Sequence, residues 1–251
     1  MTRPTVLVFA GADPSGGAGI AADILAIAAL GAHALPVITA VTVQDNDRVF
    51  EVLPVDADVV RRQARALIDK IAIGAVKIGI PGSRANAEAI AAVICGLRRD
   101  NQGLPVVLDP VLASGAGDGL SSIEALAPLL PLVTVIVPNL PEARALSVLT
   151  DDFANVLVTG GHADGAMVVN RWAGEGGERE WRWPRLPGEF HGSGCTLAAA
   201  ISARLACGDA TDAALATAQA YCHRSLKESY SIADGQRIPQ RFFETSSQGY
   251  P

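Results

Sequence analysis

Short apolar runs rich in β-branched residues alternate along this chain with longer, alanine-rich stretches of helical period. TVLVFA predicts a strand over 5–10, and the stretch beginning AGIAADILAI predicts a helix over 18–30 that Gly31 closes. The alternation continues as a strand over 35–40 and a helix over 58–71, with Asp58 as its cap. It then gives a strand over 75–78, a helix over 83–98, a strand over 105–108 and a helix over 124–130. A strand over 133–137, a helix over 141–149 and a strand over 156–159 complete the series. The strands are apolar throughout rather than at every second position, as sheets covered on both faces require. Repeated strand–helix–strand order therefore predicts the α/β class: a mostly parallel central sheet with helices on both faces.

The segment 166–184 breaks this pattern. AMVVNRW and REWRWP flank AGEGGE, which predicts an antiparallel hairpin at the sheet edge with Trp172, Trp181 and Trp183 packed on it. Helices over 194–206 and 211–229 follow, then a polar tail whose residues 244–251 are expected to be loosely held.

Composition narrows the function classes. A chain of 251 residues, 49% hydrophobic and only 18% charged, builds a sizeable core, and without a linker or repeat it reads as a single domain over 1–251. The net charge of −6 and the lack of a basic stripe argue against a nucleic-acid partner. Cys95, Cys195, Cys207 and Cys222 show neither CxxC nor zinc spacing, so free thiols in a reducing cytoplasm are expected. The opening apolar run is too short for a signal-peptide core or a membrane span, so a soluble protein is expected.

Three glycine- and carboxylate-bearing turns carry the candidate chemistry. Gly192-Ser193-Gly194-Cys195-Thr196 opens a helix whose first amides lack intrahelical partners, and glycines let an anion approach them. A thiolate at Cys195 would be favoured there. A plain glycine turn into a core helix explains the same spacing, and on spacing alone the two readings stand level. Gly11 to Gly19 follows the first strand and feeds a helix carrying Asp23, a position from which a flat ligand's ring amine could be held. No Lys follows Gly16, so a Walker-type loop is excluded. Asp109 and the Asn139–Glu142 pair end two strands at the same sheet edge, where they can hold Mg²⁺ beside phosphates or simply cap a helix. His162 and His191 lie in glycine-flanked loops. His33 and His223 read as structural.

In order, AGADPSGGAGIAADI, TAVTVQD, AVKIGIPGS, VVLDPVLASGAGDGL, IVPNLPEARAL, TGGH and HGSGCTLAAAI span nearly the whole chain. Together they resemble the hydroxymethylpyrimidine/phosphomethylpyrimidine kinases of the ribokinase-like superfamily. The resemblance implies a ribokinase-like three-layer sandwich. It implies ATP- and Mg²⁺-dependent phosphorylation of 4-amino-5-hydroxymethyl-2-methylpyrimidine, and then of its monophosphate, in thiamine biosynthesis. It places Asp23 and Gln44 on the aminopyrimidine, and Gly11, Ala18, Ile80 and Val111 on the ring pocket. Cys195 falls at the position of the catalytic base, with Gly192, Ser193 and Gly194 as the anion hole. Asp109, Asn139, Thr159 and Gly161 fall in the nucleotide region, with Asp109 and Glu142 as metal ligands. A homodimer is implied in the same way.

Departures keep two alternatives in view. The family's Lys before GGH is Thr159 here, which removes a positive charge near the phosphates and raises the possibility of a catalytically weak pyrimidine-binding protein. A pyridoxal-type kinase would carry a second reactive cysteine in a lid, and neither 147–155 nor the hairpin contains one. The segment 147–155 looks short for the family, and the C-terminal SIADGQRIPQRFF matches no family ending, so no role is carried onto it.

Overall fold

The computed structural model describes residues 2–113, 117, 119–146 and 153–243. The end of the helix expected over 141–149, most of the shortened segment 147–155, part of the ASGAGD stretch and the tail 244–251 lie outside the described residues.

Six strands form the parallel centre of one sheet: β1 (Thr5–Ala12), β2 (His33–Gln44), β4 (Ala75–Ile78), β5 (Val106–Leu108), β6 (Val135–Ile136) and β7 (Asn155–Val158). Antiparallel strands extend both edges: β3 (Val49–Pro54) beside β2, and the hairpin β8 (Met167–Gly174) and β9 (Gly177–Pro184) beside β7. Among the described residues the spatial order is β3-β2-β1-β4-β5-β6-β7-β8-β9. The order runs outward from β1 in both directions, which is where crevices open in such sheets.

Each buried strand feeds two cores. On β1, Val6, Val8 and Ala10 face the side packed by α1 (Gly19–Ala29), α6 (Ser193–Ala206) and α7 (Thr211–Lys227). Leu7 and Phe9 face the side packed by α2 (Ala57–Ile68) and α3 (Arg84–Asp100). The period-two alternation of a pleated strand produces this division. Short helices α4 (Ile123–Leu126) and α5 (Leu140–Ala145) complete the second side. The expected three-layer α/β sandwich is the observed one.

Local chemistry corrects several boundaries. Asp56, not Asp58, caps α2 by accepting the Asp58 and Val59 amides, and Asp58 sits in the first turn. The region 124–130 divides into α4 and a 3₁₀ turn over Leu130–Leu132, with Pro131 inside it. The second strand runs to Gln44 rather than ending at Ala40, because its last residues pair with β3, which the sequence reading did not include.

Candidate active site

The C-terminal ends of β1, β4, β5 and β6 surround a cavity of about 330 Å³. Gly11, Ala18, Gln44, Ile80 and Val111 line it, as do Gly192, Ser193, Gly194 and Cys195. Asp109, Asn139, Glu142, Thr159 and Gly161 line the same cavity. Residues up to about 180 positions apart thus meet because parallel strands deliver all their following loops to one edge.

Asp23 is the exception, outside the lining of this cavity. It is fully buried on α1 behind the wall, and its Oδ2 lies 2.9 Å from Lys77 Nζ. Burial raises its carboxyl to about 6, against the pull of Lys77. Lys77 stays cationic because the Asp23 and Asp109 carboxylates outweigh the cost of its burial. Lys77 itself lines the cavity, so a fixed positive charge lies where Asp23 was expected to meet a ring amine.

The polar group beside Gln44 is instead Asp13. Its carboxylate takes hydrogen bonds from the Ala18 amide at 2.7 Å and the Ser15 hydroxyl at 2.9 Å, lies near Gln44, and is 2.9 Å from His191 Nε2. Burial alone would push this carboxyl up, but those bonds hold it well below the usual carboxylate range. The Asp13–His191 contact ties the first glycine loop to the turn before α6. The two loops interlock closely: a side chain on Gly17 would strike the His191 ring, and one on Gly192 would strike the Gly17 carbonyl. Gly192 also has φ +72°, which only glycine adopts cheaply. Sequence reasoning missed Asp13 and Lys77 because each sits inside a motif whose neighbours attracted the assignments.

Cys195 also departs from expectation. Burial pushes its thiol up to about 12, with Asp109 and Asp23 adding to the effect against Lys77 and the Gly19 backbone. The thiol lies beside Asp109, whose carboxyl is itself raised by burial. A resting thiolate is therefore not favoured, although the helix amino end is present as expected.

Asp109 Oδ2 is buried without a hydrogen-bond partner among the described residues. Glu142 is raised to about 7 by burial and by Asp109. Both Glu142 oxygens are engaged: Oε2 accepts the Asn139 amide at 2.9 Å in the cap of α5, and Oε1 accepts the Leu112 amide at 3.3 Å from the loop after β5. Two buried carboxylates that repel each other, one with an orphaned oxygen, suit a divalent cation that also takes phosphate and water oxygens. Among the described residues no group of three or more His, Cys, Asp or Glu could hold a metal ion unaided.

A second cavity of about 500 Å³ adjoins the first and shares Gly161, His162, Val168 and Asn170 with it. Trp183 and His223 form its aromatic wall, with ring centroids 5.0 Å apart and planes 28° from parallel. The buried Trp183 Nε1 has no partner among the described residues. Arg185 donates to the carbonyls of Gly161 at 2.9 Å, Gly165 at 2.7 Å and Ala163, fixing the loop after β7. From the sequence, Trp183 and His223 read as structural packing. Nothing in their spacing revealed that they stack on each other in the wall of a second cavity.

Among the described residues no helix is long and apolar enough to cross a membrane. The sequence profile described as phosphomethylpyrimidine kinase matches residues 13–239. A hydroxymethylpyrimidine/phosphomethylpyrimidine kinase from Streptomyces coelicolor is 35% identical, over 94% of this chain and 93% of its own length. A crystal structure of phosphomethylpyrimidine kinase from Clostridium difficile superposes with a TM-score of 0.72 at 31% identity, covering 87% of this chain and 97% of that one. Pyridoxal kinase from Staphylococcus aureus in complex with AMP-PCP and pyridoxal superposes with a TM-score of 0.82 at 26% identity, covering 96% and 94%. With its ordered glycine loops meeting at one sheet edge and a profile match over most of its length, the chain belongs to the phosphomethylpyrimidine kinase family.

Proposed function

We propose that this protein, acting as a single kinase domain, transfers the terminal phosphoryl group of ATP to the hydroxymethyl group of the aminopyrimidine precursor of thiamine, and then to the monophosphate. The observation that supports this best is one cavity uniting Gln44, the aliphatic walls of Ile80 and Val111, and the free amides at the start of α6. The walls suit a flat ring, and the Gln44 amide can both donate to and accept from an aminopyrimidine edge. The Gly192–Gly194 amides face the charge that develops on the transferred group. Cys195, protonated beside Asp109, orients the acceptor hydroxyl. The acceptor hydroxyl's proton leaves late, as a loose phosphoryl-transfer transition state allows, and passes to an oxygen of the transferred phosphoryl group. Asp109 would hold Mg²⁺ directly and Glu142 through water, and the ion would supply charge neutralisation at the phosphates. The nucleotide base would lie against Trp183 in the second cavity.

The deciding experiment is turnover of the pyrimidine alcohol and of its monophosphate with ATP and Mg²⁺, with the two products resolved. Turnover of pyridoxal alone would favour the vitamin B6 alternative, and binding of the pyrimidine without turnover would favour the binding-protein alternative. Thr159 replaces a cation, so the second transfer is expected to be the slower. We also propose a homodimer through the outer face of β2–β3, where Val41, Val43 and Leu53 are 48%, 46% and 45% exposed. Light scattering in solution reads the mass directly.

A further inference from the structure

Arg241 lies beyond α7, in the segment onto which the sequence carried no role. Its side chain is only 2% exposed, among the largest wholly buried in the protein. A buried guanidinium is costly unless its donors are used. Its Nη2 donates to the carbonyl of Gly17 at 2.6 Å and to that of Gly192 at 3.5 Å, and Nε donates to the Thr196 hydroxyl at 3.0 Å. All three acceptors are uncharged oxygens: Gly17 and Gly192 belong to the two loops that enclose the first cavity, and Thr196 to the first turn of α6.

These contacts fix two peptide planes at once. A trans peptide directs its N–H opposite to its C=O. With the Gly17 carbonyl held by Arg241, the Ala18 N–H turns to Asp13 Oδ2 at 2.7 Å. The Gly192 carbonyl accepts from Arg241, from the Thr196 amide at 2.9 Å and from the Thr196 hydroxyl at 2.8 Å. The Ser193 N–H of the same peptide plane therefore points away from Arg241, to the side where Gly192–Cys195 line the cavity. The arginine is itself held to α7: its carbonyl accepts the Tyr221 hydroxyl at 2.9 Å, and the Gln240 amide donates to Ser225 at 2.9 Å.

We propose that Arg241 is a positioning residue for phosphoryl transfer, whose planar fork holds the pyrimidine loop and the anion turn in register. This rests on the kinase function proposed above. Lysine offers a point charge without the fork, so it should not substitute.

The test compares Arg241→Met and Arg241→Lys with the wild type, with the active fraction of each preparation determined by titration. Both variants are expected to lose roughly ten- to a hundredfold in kcat and in kcat/KM alike, with KM for the pyrimidine little changed, because the lost alignment matters in the transition state. Thr196→Val removes one acceptor without changing shape and should show a smaller fall of the same kind. It decides the matter if the Arg241 variants do not fold. Full kcat in Arg241→Lys, or in Thr196→Val where no Arg241 variant folds, would overturn the proposal, as would a loss confined to thermal stability and active fraction. Should the wild type turn over no substrate, the kinase function fails by itself. The positioning role is then read from binding of ADP with aluminium fluoride and Mg²⁺, which Arg241→Met must weaken at least tenfold; equal binding overturns it.

Discussion

A thiol at the amino end of a helix usually becomes more acidic, yet Cys195 moves the other way. Its neighbours Asp109 and Asp23 reinforce the effect of burial, and Lys77 is already committed to Asp23. With its thiol pushed up to about 12, Cys195 rests protonated at neutral pH. Iodoacetamide at neutral pH should therefore label the exposed Cys95 and spare Cys195, which peptide mapping reads directly. Serine keeps the hydrogen bonding that orients the acceptor, so Cys195→Ser should retain kcat within about tenfold, whereas Cys195→Ala should lose roughly a hundredfold. Equal collapse of both variants would restore the thiolate as base. Asp13 supplies a pH prediction of definite sign. Its folded carboxyl lies below the unfolded value of 3.8, so its stabilising contribution is full above that value and is lost as the pH falls through the folded one. Urea midpoints measured from pH 5 downward should fall for the wild type. They should start lower and fall less steeply for Asp13→Asn.

At the level of elements, legibility followed burial. The strand over 75–78 was read to the residue because all four side chains are buried, leaving no ambiguity of period. The edge strand β3 was not included because VFEVLP has no residue buried on either face and Glu51 interrupts the apolar run. Asp56 lost the cap of α2 to Asp58 on paper because both precede the helical period, and only the backbone geometry separates them. In the site, motif residues on single loops were legible, while contacts between loops were not: Arg241 is 224 positions from Gly17. The hairpin β8–β9 was foreseen as packing, but its Trp183 also walls the second cavity. Base stacking on an aromatic ring contributes about 1–3 kcal/mol. Trp183→Ala should accordingly raise KM for ATP roughly tenfold and leave KM for the pyrimidine unchanged, in steady-state kinetics with each substrate varied in turn. A change in the pyrimidine KM alone would move the base elsewhere.

The two cores of the whole molecule share their strands, and this determines how it should unfold. Val6 and Val8 belong to one core while Leu7 and Phe9, between and beside them on β1, belong to the other. Neither side can lose its packing without exposing strands that the other side needs. The hairpin is the place where separation is most plausible on physical grounds, since β9 is largely exposed and lies at the sheet edge. It is nevertheless tied inward: Asn170 accepts the Gly160 amide at 3.0 Å and donates to Gln219 of α7 at 2.9 Å, and the Trp172 indole donates to Asn155 at 3.1 Å. All three tryptophans sit on β8 and β9, so indole fluorescence reports the hairpin while far-ultraviolet circular dichroism reports the helices. The two signals should give coincident urea transitions, and ADP, by binding only the folded chain, should move both to higher urea together. An earlier fluorescence transition would mean that the hairpin opens by itself, and that the second cavity, proposed above for the nucleotide base, can be lost while the first stands.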